Sequence, residues 1–151
     1  MDMDTTKTEA TITTGRLLKD IRAARCPEEA SAWHRMNGEP SLQAALYHMM
    51  EQRSLSPKDM IQALGVQRSY YYHILSGVKK PSRNMILRIG FCLRADLKQM
   101  QRLLRLANAS TLYPRVQRDA LLIYAIQNKY SDVQVNELLL QSDLPPLYRY
   151  E

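Results

Sequence analysis

Gln67 and Arg68 stand side by side in this chain, followed by Ser69 and, a turn later, by Tyr72 and His73. A glutamine amide can bond an adenine edge in two places, and an arginine guanidinium can bond a guanine edge in two places. The surrounding charge has the sign such chemistry needs. Between Arg53 and Arg118 there are 13 Lys and Arg residues against two acids, Asp59 and Asp96, a net +11. Residues 1–52 carry −2 and residues 119–151 carry −3. A basic block between mildly acidic flanks is the footprint of a phosphate-binding surface. A solvated basic helix leaves a similar footprint, so charge alone does not decide between them.

Other chemistry finds little support. His34, His48 and His73 have no partners at metal-ligand spacing. No G-x-x-x-x-G-K-[ST] or G-x-G-x-x-G run occurs, and no Ser or Cys stands in a nucleophile context. We therefore expect no enzyme, no metal and no cofactor. The two cysteines, Cys26 and Cys92, are far apart and read as reduced thiols of a cytoplasmic protein. No run of about 18 apolar residues exists, so no membrane partner is expected. The N-terminal MDMDTTKTEATITT is polar and lacks the apolar stretch of a secretory signal.

The elements that must hold these residues are helical. β-branched residues are sparse beside Leu, Ala, Met, Gln and Arg, and Gly and Pro number only five and seven, which favours an all-α fold. We expect a disordered tail over 1–13 and an N-terminal helical extension over 14–39. The main domain spans 40–108, and a C-terminal helical hairpin 109–151. In the extension, one helix is expected from Gly15 to Arg25, stopped by Pro27, and another from Glu28 to about Met36, broken at Asn37-Gly38 and Pro40. In the main domain, Ser41 is an N-cap before Leu42, Leu46, Met49 and Met50. Ser56 is another, with Pro57 and Asp59 in the first turn, Met60, Ile61 and Leu64 on the apolar face and Gly65 at the end. A helix over Arg68–Leu75 closes at Gly77. Ser82 opens a helix bearing Met85, Ile86, Ile89, Phe91 and Leu93, and Asp96 one bearing Leu97, Met100, Leu103, Leu104 and Ala107. Pro114 opens the first hairpin helix, running to about Asn128 with Leu121, Leu122, Tyr124, Ala125 and Ile126. Ser131 caps the second, with Val135, Leu138 and Leu139, ending near Pro145-Pro146. Tyr71 shares the inward face with Ile74 and Leu75, Tyr72 projects from the opposite side, and Tyr70 covers the core edge.

The stretch from Leu55 to Gly77, LSPKDMIQALGVQRSYYYHILSG, resembles the XRE (lambda-repressor-like, Cro-like) helix-turn-helix family of bacterial transcription regulators. A short helix, a tight turn with Gly, a second short helix and a second Gly twelve residues after the first all match, as does the following Pro81-Ser82. About 65 residues are covered. The resemblance implies a five-helix DNA-binding domain whose 68–75 helix enters the major groove of double-stranded DNA, bound as a homodimer. Carried over by position, the base-contacting residues are Gln67, Arg68, Ser69, Tyr72 and His73. The phosphate contacts are Ser56, Lys58, Lys79, Lys80 and Arg83. Repression, by covering a promoter, is the implied output.

Two departures bear on this. Family members often place a DNA-contacting Gln where this chain has Pro57. They also often bury an Arg–Glu pair at positions matching Met50 and Leu75, both apolar here, an exchange that leaves no charge buried alone. The segment Leu112-Tyr113-Pro114-Arg115 with Arg118-Asp119-Ala120 is similar to the one that follows the motif in a group of small bacterial helix-turn-helix proteins. The alternative to DNA binding is a non-enzymatic adaptor that meets a protein partner through the terminal helices.

Overall fold

Ser41, Ser56, Ser82, Asp96 and Ser131 each start a helix in the computed structural model, which describes residues 14–30 and 40–149. In all five the side-chain oxygen accepts the backbone N–H three residues on, satisfying a donor that the helix itself cannot. At Ser56, Asp96 and Ser131 the bond is reciprocated by Asp59, Gln99 and Gln134 in full capping boxes.

The chain forms two compact units that divide between Glu39 and Pro40. The first holds α1 (Thr14–Ala23) and a helical stretch at residues 27–30. Helix α1 ends two residues earlier than the sequence suggested, and Pro27 opens the next stretch as well as closing α1. A proline lacks an N–H, which costs nothing in the first turn of a helix. The backbone N–H of Arg25 donates to Glu29 Oε2 across this junction at 2.7 Å. The expected tail over 1–13, the second helix beyond residue 30 and the Asn37-Gly38 break lie outside the described residues.

The second unit holds α2 (Leu42–Gln52), α3 (Pro57–Leu64), α4 (Arg68–Ser76), α5 (Arg83–Cys92), α6 (Leu97–Leu106), α7 (Gln117–Gln127) and α8 (Asp132–Gln141). Among the described residues every element is helical, and none is long and apolar enough to cross a membrane. Helix α2 packs on α4 and α6, and α3 on α4 and α5. Helices α5 and α6 pair, while α7 and α8 form a hairpin resting on α6 and α5. The apolar faces read from the sequence supply the core: Leu46, Met60, Ile74, Ile86, Met100, Leu122 and Val135 are essentially inaccessible. Tyr124 departs from that pattern, being about half exposed beside the buried Ala125 and Ile126.

Five helix ends have a feature that composition hid. Ser54, Arg94, Asn108, Lys129 and Asp143 all sit at φ between 54° and 57°, the left-handed region that glycine favours. The next residue closes the end each time, its N–H returning to the carbonyl five residues back at 2.9 Å: Leu55 to Met50, Ala95 to Gly90, Ala109 to Leu104, Tyr130 to Ala125, Leu144 to Leu139. These are Schellman ends, and their apolar closing residues lean on the core. The left-handed conformation costs a non-glycine residue roughly 1–2 kcal/mol. Lys129→Gly should therefore stabilise the unit by about 0.5–1 kcal/mol after the entropy glycine loses on folding. Urea denaturation reads this directly, and a destabilised variant would refute it.

The hairpin differs from expectation at both ends. Residues 114–116 form a turn and α7 begins at Gln117 rather than Pro114, because the Asp119 carboxylate reaches back to the Tyr113 N–H at 2.9 Å. Helix α8 ends at Gln141, ahead of Pro145-Pro146, at the left-handed Asp143.

Candidate nucleic-acid interface

The geometry around Gln67 and Arg68 begins with the end of α3. Gly65, at φ 66°, closes that helix with its N–H on the Ile61 carbonyl. A Cβ there would meet nothing within 4 Å, so glycine is needed for the backbone conformation and not for space. Only Val66 and Gln67 then separate Gly65 from α4. Arg88, on α5, donates to the carbonyl of Leu64, the last residue of α3, and thereby holds the entry to this turn. Its guanidinium lies over the Tyr148 ring, 4.3 Å from the centroid, so the C-terminal segment supports the same turn from behind.

Helix α4 is anchored by one face and offers the other. Tyr71, Ile74 and Leu75 are buried. The Tyr71 hydroxyl donates to Met50 Sδ at 3.3 Å, and Gln43 Nε2 donates to the Ile74 carbonyl at 3.3 Å. Met50 and Leu75 are both buried in the core, so the apolar exchange noted above leaves no unpaired charge there. Gln67, Arg68, Ser69, Tyr72 and His73 are all exposed. Gln67 is the N-cap yet makes no cap bond with its side chain, which leaves the amide uncommitted to the helix. The Arg68 guanidinium stands over the Tyr72 ring at 5.5 Å, a cation–π contact that aligns two of the five.

The flanking cations divide into two groups. Gly77, at φ 83°, turns the chain out of α4 into an exposed loop of Val78, Lys79 and Lys80. The Lys79 ammonium rests over the Tyr70 ring at 5.7 Å, which places it beside α4. Lys58 is exposed in the first turn of α3. Ser56 is committed to its cap: its hydroxyl accepts the Asp59 N–H and lies 2.9 Å from Asp59 Oδ2. The backbone N–H of Ser56 and then its hydroxyl hold the Asp59 carboxyl below its ordinary value.

Arg83 turns inward. Its Nε donates to the Ser110 carbonyl at 2.9 Å, and one Nη donates to Thr111 O at 3.3 Å and to both Asp119 oxygens at 3.1 Å. Its guanidinium is therefore spent on the α6–α7 connection and does not join Lys79 and Lys80. The sequence signal for this was Asp119, the acid of Arg118-Asp119, whose partner lies 36 residues away.

Sequence reasoning also missed the polar joints that fasten the hairpin. Arg118 donates to Asn84 Oδ1 at 2.9 Å and to the Pro145 carbonyl at 2.8 Å, and burial, then the nearby Arg83, lowers its pKa from the ordinary value. Gln101 exchanges two bonds with the Leu112 backbone, at 2.7 and 2.9 Å. Asn136, wholly buried, accepts the N–H groups of Leu147 and Tyr148 and donates to the Tyr148 carbonyl. A buried asparagine with both ends satisfied fixes a segment in place. Here that segment carries the Tyr148 ring to Arg88. No protein-family model, curated protein or solved structure matches the chain.

Proposed function

We propose that the protein is a lambda-repressor-like regulator of transcription that reads duplex DNA with α4. The carrying observation is the exposed face of Gln67, Arg68, Ser69, Tyr72 and His73 on a helix that follows a tight glycine turn, with exposed Lys79 and Lys80 beside it. The major groove admits one such helix, and the first residues of the helix meet base edges there. Lys58, Lys79 and Lys80 neutralise the flanking phosphates. One reading helix buries little surface, so the protein binds as a homodimer with half-sites one helical turn, about 34 Å, apart. Binding across a promoter represses it, and the work is cytoplasmic.

Sequencing the DNA that crosslinks to the protein in cells defines the site, and two variants then test how it is read. Arg68→Ala should relax preference at one base position at a cost of about 1–3 kcal/mol, while Lys80→Ala should weaken all sequences alike. Equal discrimination by wild type and Arg68→Ala would refute the base-reading role. The second reading is an interaction adaptor without DNA. It is favoured by Pro57, by the inward Arg83 and by the exposed Tyr72 and Val78. It requires a protein partner to compete for α4 and no duplex to bind.

A further inference from the structure

A cleft of about 630 Å³ opens between the ends of α2 and α5, the side of α3 and the α7–α8 turn. That is within the range of small-ligand sites, about 300–1,000 Å³. We propose that it binds a small organic anion with an apolar body. The proposal does not depend on the DNA reading.

Its walls are apolar. Ala63, Phe91, Ala95 and Ile126 line it, and Phe91, Ala95 and Ile126 belong to the buried core. Cys92 adds to this surface. Burial, then Asp132, pushes its thiol up to about 12, so it is a neutral apolar group and not a nucleophile.

Its rim is cationic. Arg53, Arg94 and Lys129 line it against a single acid, Asp132. Arg53 is held in place, its Nε on the Leu93 carbonyl at 2.9 Å and one Nη on the Arg94 carbonyl at 3.3 Å. A guanidinium has five N–H donors, so these bonds leave donors for a ligand. Arg94 and Lys129 are two of the left-handed helix ends, at φ 54° and 57°. Glycine would suit both positions better, yet each carries a cation, and both border one cavity. Two such ends, an anchored arginine and an apolar floor converge on an anion with an apolar part.

The probe is 1-anilinonaphthalene-8-sulfonate, an aromatic sulfonate that fluoresces on leaving water, titrated into the full-length protein. The expected result is saturable binding at one site per chain. The double variant Arg94→Gly and Lys129→Gly should weaken it about tenfold through the two lost charges. Because glycine relieves the strain at both positions, that loss is not a loss of folding, and circular dichroism of the variant checks it. Ala63→Trp should fill the cleft and abolish binding, and Asp132→Asn should tighten it. Absence of saturable binding to wild type overturns the proposal. Equal affinity in wild type and the double glycine variant overturns the anion assignment, even if Ala63→Trp still blocks the probe.

Discussion

Tyr71→Ala should destabilise the helical unit by about 3–5 kcal/mol, the range for emptying a large buried aromatic site. Domains of this kind have only about 5–15 kcal/mol in hand, so the variant should lose a large share of its stability and melt well below the wild type. The reason is position. Tyr71 is fully buried and reaches from α4 across to α2, where its hydroxyl meets Met50 Sδ. Removing it empties the seam that holds the exposed face of α4 outward. Tyr71→Phe keeps the ring and should cost only about 0.5–1 kcal/mol for a weak hydrogen bond.

The same burial predicts an alkaline limit. Burial pushes the Tyr71 phenol well above its ordinary 10.0 and the Cys92 thiol from 9.0 up to about 12. Both pKa values are raised in the folded state, so the folded protein keeps protons that the unfolded chain releases. The stability is fully present below pH 9.0 and is lost as pH rises toward the folded values. Each group contributes a slope of at most about 1.4 kcal/mol per pH unit. Urea denaturation across this range should show the decline, and Tyr71→Phe and Cys92→Ala should each flatten it. An unchanged slope in both variants would contradict the burial argument.

Asp119→Ala should cost about 2–4 kcal/mol, somewhat less than a fully buried ion pair because water reaches part of Arg83. The Asp119 side chain is only 6% exposed and the Arg83 side chain 25%. Deleting the carboxylate unpairs the Arg83 guanidinium and orphans the Tyr113 N–H together. Asp119→Asn keeps an acceptor for one of them and should lose about half as much. Hydrogen exchange should show the loss first in α7 and α8, since the clasp fastens the hairpin to the start of α5. A drop under about 0.5 kcal/mol would mean that the hairpin is held by its apolar contacts alone.

The helix starts were legible because capping is local: Ser41, Ser56, Ser82, Asp96 and Ser131 each act on an N–H three residues away. The two glycine ends at Gly65 and Gly77 were legible for the same reason. The left-handed ends at Ser54, Arg94 and Lys129 were not, because Ser, Arg and Lys do not announce a positive φ, and at Asn108 and Asp143 the residue type gives only a weak signal. They exist because the apolar residue after each is drawn into the core. The inward turn of Arg83 was equally hidden. A lysine-arginine run after a helix reads as a phosphate patch until the chain returns, 36 residues later, with Asp119. Of the candidate site, sequence spacing identified the face of α4, since a helix anchored at Tyr71, Ile74 and Leu75 turns Ser69, Tyr72 and His73 outward, while Arg68 is exposed as the first residue of the helix. It did not reveal the Arg88–Tyr148 support behind the turn, which depends on contacts across most of the chain.

The central claim is that α4 and the lysines beside it bind duplex DNA, and the salt dependence of that binding tests it most directly. Fluorescence anisotropy of a labelled duplex carrying the selected site should give a slope of log K against log salt of about −5, from three lysines on each of two subunits. Affinity should then fall roughly a thousandfold between about 50 and 200 mM salt. Lys79→Ala with Lys80→Ala removes four of those six contacts and should reduce the slope to about −2. Binding that is indifferent to salt, or a slope unchanged by the double variant, would contradict it.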